Sequence, residues 1–201
     1  MKSQRFHFFI PVQSTRTMLL AGILFSMLFR VELAVGQEFV WAPNFPVGAK
    51  IADIEAENQA GMIRTFDDLK GENGLLLLFN RSFDWCPFCK RQLLQLVEVA
   101  EQFEAMGIGI ATVTYDPVSL LQEVAEDERI SFSLLHDADV KLVNAFGILN
   151  TQYEPGDRAY GIPYPGIFLV DKDGVIRYKF AEEDYRVRPD FVDVLSAAAK
   201  M

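Results

Sequence analysis

Cysteine is scarce in this chain: there are two in 201 residues, Cys86 and Cys89. Two cannot staple a disulfide scaffold, and they cannot furnish a four-cysteine zinc site or a cysteine-ligated iron–sulfur cluster. Histidine is as rare, with His136 the only one after residue 36. A metal site built on the cysteines therefore lacks ligands. Lys90 follows Cys89 where covalent haem attachment needs histidine. Internal repeats, low-complexity tracts and a glycine-rich phosphate loop are all missing. Positive charge is short as well. Lys and Arg total 19 against 28 Asp and Glu, a formal charge of −9, and residues 37–201 hold 15 basic and 27 acidic residues. Such a body offers no cationic face for a phosphate backbone, so nucleic-acid binding is excluded. No apolar run is long enough to span a bilayer comfortably. The run at 18–29, MLLAGILFSMLF, reaches about 18 Å as a helix against a hydrocarbon core of roughly 30 Å.

What remains is the composition of a globular protein with a sizeable core: 50% apolar, 12% aromatic and 23% charged. Residues 1–17 are basic and carry no acid, the apolar run follows, and Ala34-Val35-Gly36 supplies a small-x-small site. That order predicts an export signal over 1–36 with a mature chain from Gln37, the alternative being an uncleaved membrane anchor. Export places the cysteines where disulfides persist, in a periplasmic or secreted protein. Residues 37–201 read as one domain.

Within it, residues 51–66 form a short hairpin turning near Asn58–Gly61. Residues 75–79, LLLLF, suit a strand buried on both faces. A helix from Pro87 to about Met106 repeats apolar residues at three and four (Leu93, Leu96, Val97, Ala100, Phe103), and Gly107 closes it. A strand at 108–114 follows. Asp116-Pro117 supplies an N-cap and a first-turn proline for a helix to about Arg129. Next come a strand at 132–135, a helix opening at Asp137 or Asp139, and a loop over 148–164. Strands at 166–171 and 175–180 flank Asp171–Gly174, and a last helix starts at Pro189. This βαβαβαββα order gives an α/β fold, a mixed sheet with helices on both faces.

The chemistry lies at Trp85-Cys86-Pro87-Phe88-Cys89-Lys90. Cys86 falls at the N-cap of a long helix, where free N–H groups and the positive end of the dipole favour a thiolate. Asp84 opposes this, while Lys90 and Arg91 assist. Cys89 stands one turn on, placed to attack a disulfide formed on Cys86. The rival reading is a structural disulfide, which would stabilise little by closing so short a loop. Trp85, Phe88 and Tyr164 are candidates for an apolar rim that meets a partner chain, or simply pack around the loop. His136 reads as a strand-end surface residue, and Glu123, Glu126, Asp127 and Glu128 as a solvated helix face. Asn80-Arg81-Ser82 matches the glycosylation triplet only incidentally.

Phe79-Asn80-Arg81-Ser82, Trp85–Lys90 with Gln92-Leu93, Phe132–Asp137 with Phe146-Gly147, and Ile167–Asp171 with Gly174 together resemble the thioredoxin superfamily. More narrowly they are similar to the redoxins grouped with alkyl hydroperoxide reductase and thiol-specific antioxidant proteins. The resemblance covers about 43–196. It implies a thioredoxin-like fold with an N-terminal hairpin extension, a redox-active Cys86–Cys89 disulfide, and a cis-proline at Pro165 beside the pair. It also implies a substrate groove involving Trp85, Pro87, Phe88, Tyr164 and Pro165. Departures from the peroxide-reducing branch stand beside it. Phe79 and Phe83 occupy the Pro and Thr positions of that branch's motif, and its arginine is replaced at Pro165, although Arg81 and Ser82 are close by. Asn80 takes the place of the thioredoxins' buried acid.

The resulting expectation is a thiol–disulfide oxidoreductase, with Cys86 as nucleophile and Cys89 as resolving thiol. The alternative is a peroxiredoxin-like thiol peroxidase acting on hydroperoxides, and the third reading is a non-catalytic binding domain with a structural disulfide. Protein thiols and disulfides or a dithiol electron donor are the implied partners. No bound cofactor is implied, and membrane contact arises only through an uncleaved N-terminal segment.

Overall fold

The computed structural model describes residues 39–201, and the expected export signal lies outside the described residues. The fold grows outward from β3 (Gly74–Phe79), six consecutive residues with no solvent exposure of consequence. Alternation along a strand sends neighbours to opposite faces. Leu76 and Leu78 enter one apolar cluster, and Leu75, Leu77 and Phe79 enter another. A strand so placed needs cover on both sides, and the sequence around it supplies that cover.

The other strands are β1 (Glu55–Asn58), β2 (Ile63–Thr65), β4 (Ile108–Thr114), β5 (Ser133–His136), β6 (Gly166–Asp171) and β7 (Ile176–Phe180). They join β3 in one sheet of order β2-β1-β5-β4-β3-β6-β7. Strands β3, β4 and β5 are parallel, while β6, β7 and the β1–β2 hairpin pair antiparallel. Parallel neighbours require crossovers. These are α2 (Pro87–Ala105) and α3 (Val118–Asp127), which cover one face together with α5 (Phe191–Ala198). The short α4 (Lys141–Ala145) and the segment around Trp41 cover the other. The expected mixed sheet between helical layers, extended by an N-terminal hairpin, is therefore observed.

Helix α2 forms where its periodicity places it. Leu93, Leu96, Ala100 and Phe103 point into the first cluster, and burying each of the larger side chains contributes about 1.5–3 kcal/mol. After the cap at Met106 the chain turns left-handed at Gly107 (φ 70°), and the Asn73 side chain donates to the Met106 carbonyl at 2.8 Å.

Several local readings change. The hairpin strands are shorter than 51–66, because the Asn58 carboxamide accepts from Ala60 and Met62 N–H and closes the turn at once. An unforeseen single-turn helix, α1 (Phe66–Leu69), follows, with the Asp68 carboxylate accepting from Thr65 N–H and Oγ. Four residues are too few to show a helical period. Pro117, not Asp116, is the N-cap of α3, since the Asp116 carboxylate turns away to the loop before Cys86. Asp137 opens a 3-10 turn (Ala138–Val140), and its carboxylate accepts from Leu142 and Val143 N–H. The last helix begins two residues after Pro189, at an Asp190 cap that accepts from Val192 N–H.

The cis bond expected at Pro165 is not found: every described peptide bond, Tyr164–Pro165 included, is trans. Trans is the default for X–Pro bonds, and here both backbone groups of Tyr164 are already used. Its N–H donates to the Ile148 carbonyl at 2.7 Å, and its own carbonyl accepts from Trp41 Nε1 at 2.8 Å.

Candidate active site

Strands β3 and β4 run side by side, and the site sits where their carboxyl ends feed α2 and α3. Asn80 N–H still bonds the Val113 carbonyl at 2.9 Å, so the chain leaves the sheet only at Arg81. Asp116, at the end of β4, then takes hold of the departing loop. Its carboxylate accepts from Ser82 Oγ at 2.7 Å and from Phe83 N–H. Ser82 Oγ in turn accepts from Asp84 N–H at 3.0 Å. Burial pushes the Asp116 carboxyl up, against the pull of the Phe83 N–H and the Ser82 hydroxyl. This arrangement delivers Cys86 to the N-cap of α2.

Cys86 and Cys89 are joined as a disulfide with Cα atoms 5.3 Å apart. Both are buried, at 1% and 0% exposure. Cys89 N–H donates to Cys86 Sγ at 3.3 Å, the contact a helix-capping thiolate requires. Cys89 Sγ meets a different donor, Nη2 of Arg188, at 3.4 Å. Arg188 reaches in from the segment between β7 and α5. Burial first, then the neighbouring Arg81 and Arg91, bring its guanidinium down to about 10.

Arginines and aromatic rings enclose the pair. Arg81, 7% exposed, lies 5.0 Å from the Trp85 ring and 4.1 Å from the Tyr185 ring. Tyr185 meets Phe88 edge-on at 5.9 Å, and Arg91 lies 5.2 Å from Phe88. Trp85 Nε1 donates to the Tyr115 hydroxyl at 2.8 Å. A cleft of about 500 Å³ runs along this side between α2 and α5, bordered by Arg91, Arg186, Arg188, Phe191 and Leu195.

Of the residues singled out in the sequence, Cys86, Cys89, Trp85 and Phe88 are brought together, and Pro87 is the exposed first residue of α2. Tyr164 does not join the rim. It packs with the second cluster, on the other face of the sheet, and Tyr185 takes the place expected of it. Pro165 is buried just before β6. Phe79 and Phe83 are core residues at 0% and 1% exposure, so no hydroxyl stands at either position. Ser82 is committed to Asp116. Asn80 is wholly buried, its carboxamide without a partner, and is inaccessible to glycosylation. His136 Nδ1 is 2.9 Å from the Asp116 carbonyl, a structural contact. Glu123, Glu126, Asp127 and Glu128 are exposed, as expected.

Sequence reasoning missed Asp116 as a loop anchor, and it missed Tyr185 and Arg188 altogether. The latter two lie in Tyr185-Arg186-Val187-Arg188-Pro189, a stretch with no helix or strand period. Its density of arginine in an acidic chain was the one available signal.

The model of the AhpC/TSA family matches residues 47–179, well over half of the chain. Among curated proteins, the chain is 26% identical over 133 residues to a putative peroxiredoxin bcp of Coxiella burnetii, covering 66% of this chain and 86% of that protein. It is 21% identical over 145 residues to the 1-Cys peroxiredoxin PER1 of Hordeum vulgare, covering 69% of this chain but only 65% of that protein's length. Among solved structures, peroxidoxin BcpB from Mycobacterium tuberculosis aligns with a TM-score of 0.66 at 21% identity, over 78% of this chain and 98% of that one. The fold is thus thioredoxin-like, as the resemblance implied, and the chain belongs to the AhpC/TSA family.

Proposed function

We propose that the protein is a thiol peroxidase of the peroxiredoxin type, with Cys86 as the peroxide-attacking thiol and Cys89 as its resolving partner. The observation that carries this is the placement of Cys86 at the N-cap of α2, within bonding reach of Cys89, whose sulfur accepts from the half-buried Arg188. Family membership and relatives named as peroxiredoxins support the same chemistry. The Cys86 thiolate attacks one oxygen of the hydroperoxide. The O–O bond breaks, the departing alkoxide takes a proton from solvent and leaves as the alcohol, and Cys86 becomes a sulfenic acid. Cys89 then displaces water from that sulfur to form the observed disulfide. A dithiol donor supplies two electrons and two protons to restore both thiols. Charge on the departing oxygen is offset by the first turn of α2 and the nearby guanidinium groups rather than by a threonine hydroxyl.

Phe83 favours a second reading, thiol–disulfide exchange without peroxide, because the motif's hydroxyl is replaced by a core phenyl ring. Exchange requires only the thiolate, access and Cys89. Treating reduced Cys89→Ser protein with one equivalent of hydroperoxide separates the two. The peroxidase forms a sulfenic acid on Cys86 within seconds, captured by dimedone as a single adduct. An exchange enzyme leaves the thiol largely unreacted while still forming mixed disulfides.

Export belongs to the same proposal. The order of residues 1–36 supports a mature chain near Gln37, and amino-terminal sequencing of native protein tests it. A start at Met1 in the cytoplasm would overturn it.

A further inference from the structure

Arg188 is the only side-chain group within hydrogen-bond distance of either sulfur among the described residues. It contacts Cys89, not the Cys86 that the helix dipole serves. Cys89 has no solvent exposure and sits against apolar side chains. Burial of this kind raises a thiol's pKa and keeps it protonated, which is the wrong state for a nucleophile that must displace an oxygen or sulfur from Cys86. The protein therefore needs a cation at that sulfur, and Arg188 supplies one.

Three features indicate that the cation is placed for this purpose. No carboxylate pairs with Arg188 among the described residues, although the chain is strongly acidic. Its Nε is buried without a hydrogen-bond partner. Its charged neighbours, Arg81 from the loop before α2 and Arg91 from α2, are cations too, and Tyr185 is the other titratable group beside it. A half-buried guanidinium crowded by like charges is costly unless an anion faces it. In the oxidised pair the sulfur is neutral. Once Cys86 has been oxidised by peroxide or joined to a partner sulfur, a Cys89 thiolate facing Arg188 is the missing anion.

We infer that Arg188 is a positioning residue that favours the Cys89 thiolate, so that the resolving sulfur ionises as soon as oxidation of Cys86 removes the negative charge beside it. This rests on the reading of Cys86 and Cys89 as a redox pair, and it holds whether the oxidant is a hydroperoxide or a disulfide. Stabilising the reduced form also makes the disulfide easier to reduce.

The test is made on the full chain carrying Cys86→Ser, so that Cys89 titrates alone, followed by thiolate absorbance at 240 nm. With Arg188 present, Cys89 should titrate below the ordinary cysteine value of about 8.5. Arg188→Met should raise it by at least a full unit, and Arg188→Lys should recover part of the shift. In the two-cysteine protein, Arg188→Met should lower the equilibrium constant for reduction by a reference dithiol about tenfold, or some 30 mV. A Cys89 value at or above 8.5 with Arg188 in place would overturn the inference, even if Arg188→Met failed to fold. So would a folded Arg188→Met variant with an unchanged Cys89 value. Peroxide turnover enters none of these measurements, so a failure here is distinct from a failure of the peroxidase reading.

Discussion

The Asp116 carboxylate accepts the Ser82 hydroxyl at 2.7 Å, tying the end of β4 to the loop that presents Cys86. The same carboxylate receives the Phe83 N–H. Replacing Asp116 with Ala leaves two buried donors without a partner, at about 1–3 kcal/mol each. Urea unfolding should show a loss of about 2–6 kcal/mol for the two together, and reaction of Cys86 should slow because the loop is no longer fixed. Asp116→Asn keeps one acceptor and should cost less.

The same carboxyl carries a pH signature. Burial holds it above the usual aspartate value of 3.8. A carboxyl whose folded-state pKa is raised gives a contribution that is fully present below the unfolded value. That contribution is lost as pH climbs through the folded one. The stability of the wild type relative to Asp116→Asn should therefore decline as pH rises from below 3.8 toward neutrality. Asp137 is raised by burial in the same way, so the comparison must be made between the two proteins at each pH. A difference that grows with pH would contradict the assignment.

Phe83 fills the core beneath Cys86, which sets the outcome of restoring the family's hydroxyl. Phe83→Thr should destabilise the protein by about 3–5 kcal/mol, the range for emptying a buried phenyl site. It should not accelerate reaction with peroxide, because the new hydroxyl replaces a ring packed into the apolar cluster. Chemical denaturation and peroxide kinetics on the same variant check both halves.

Arg81 between Trp85 and Tyr185 offers an optical readout. Trp41 and Trp85 are the only tryptophans, so Trp41→Phe leaves Trp85 as a single reporter. In that background Arg81→Ala should shift the Trp85 emission and lower stability by about 0.5–2 kcal/mol, the range for partly desolvated cation–π contacts. Unchanged emission would mean that the guanidinium does not rest on the indole in solution.

Much of the scaffold was legible in the sequence because burial repeats with a period there. LLLLF announces a strand buried on both faces, and Leu93, Leu96, Ala100 and Phe103 announce the inner face of α2. The cysteines were legible because their spacing and position carry chemistry directly. Arg188, Tyr185 and Asp116 were not. Each acts through contacts 33 to 104 residues away in the chain, and no local pattern encodes such a contact. Pro165 shows the opposite error. A position supplied by resemblance brought a cis bond with it, whereas hydrogen bonds from Trp41 and to Ile148 hold the neighbouring Tyr164 in a trans connection.

The most direct test of the peroxidase reading is the second-order rate of the reduced protein with hydroperoxide, followed by stopped-flow tryptophan fluorescence with Trp85 beside Cys86. A rate constant above about 10⁵ M⁻¹s⁻¹, within the range of efficient enzymes, is the predicted result, abolished by Cys86→Ser. A rate no faster than that of an ordinary low-pKa thiol, alongside rapid reduction of a protein disulfide by the same sample, would contradict it and establish disulfide exchange instead.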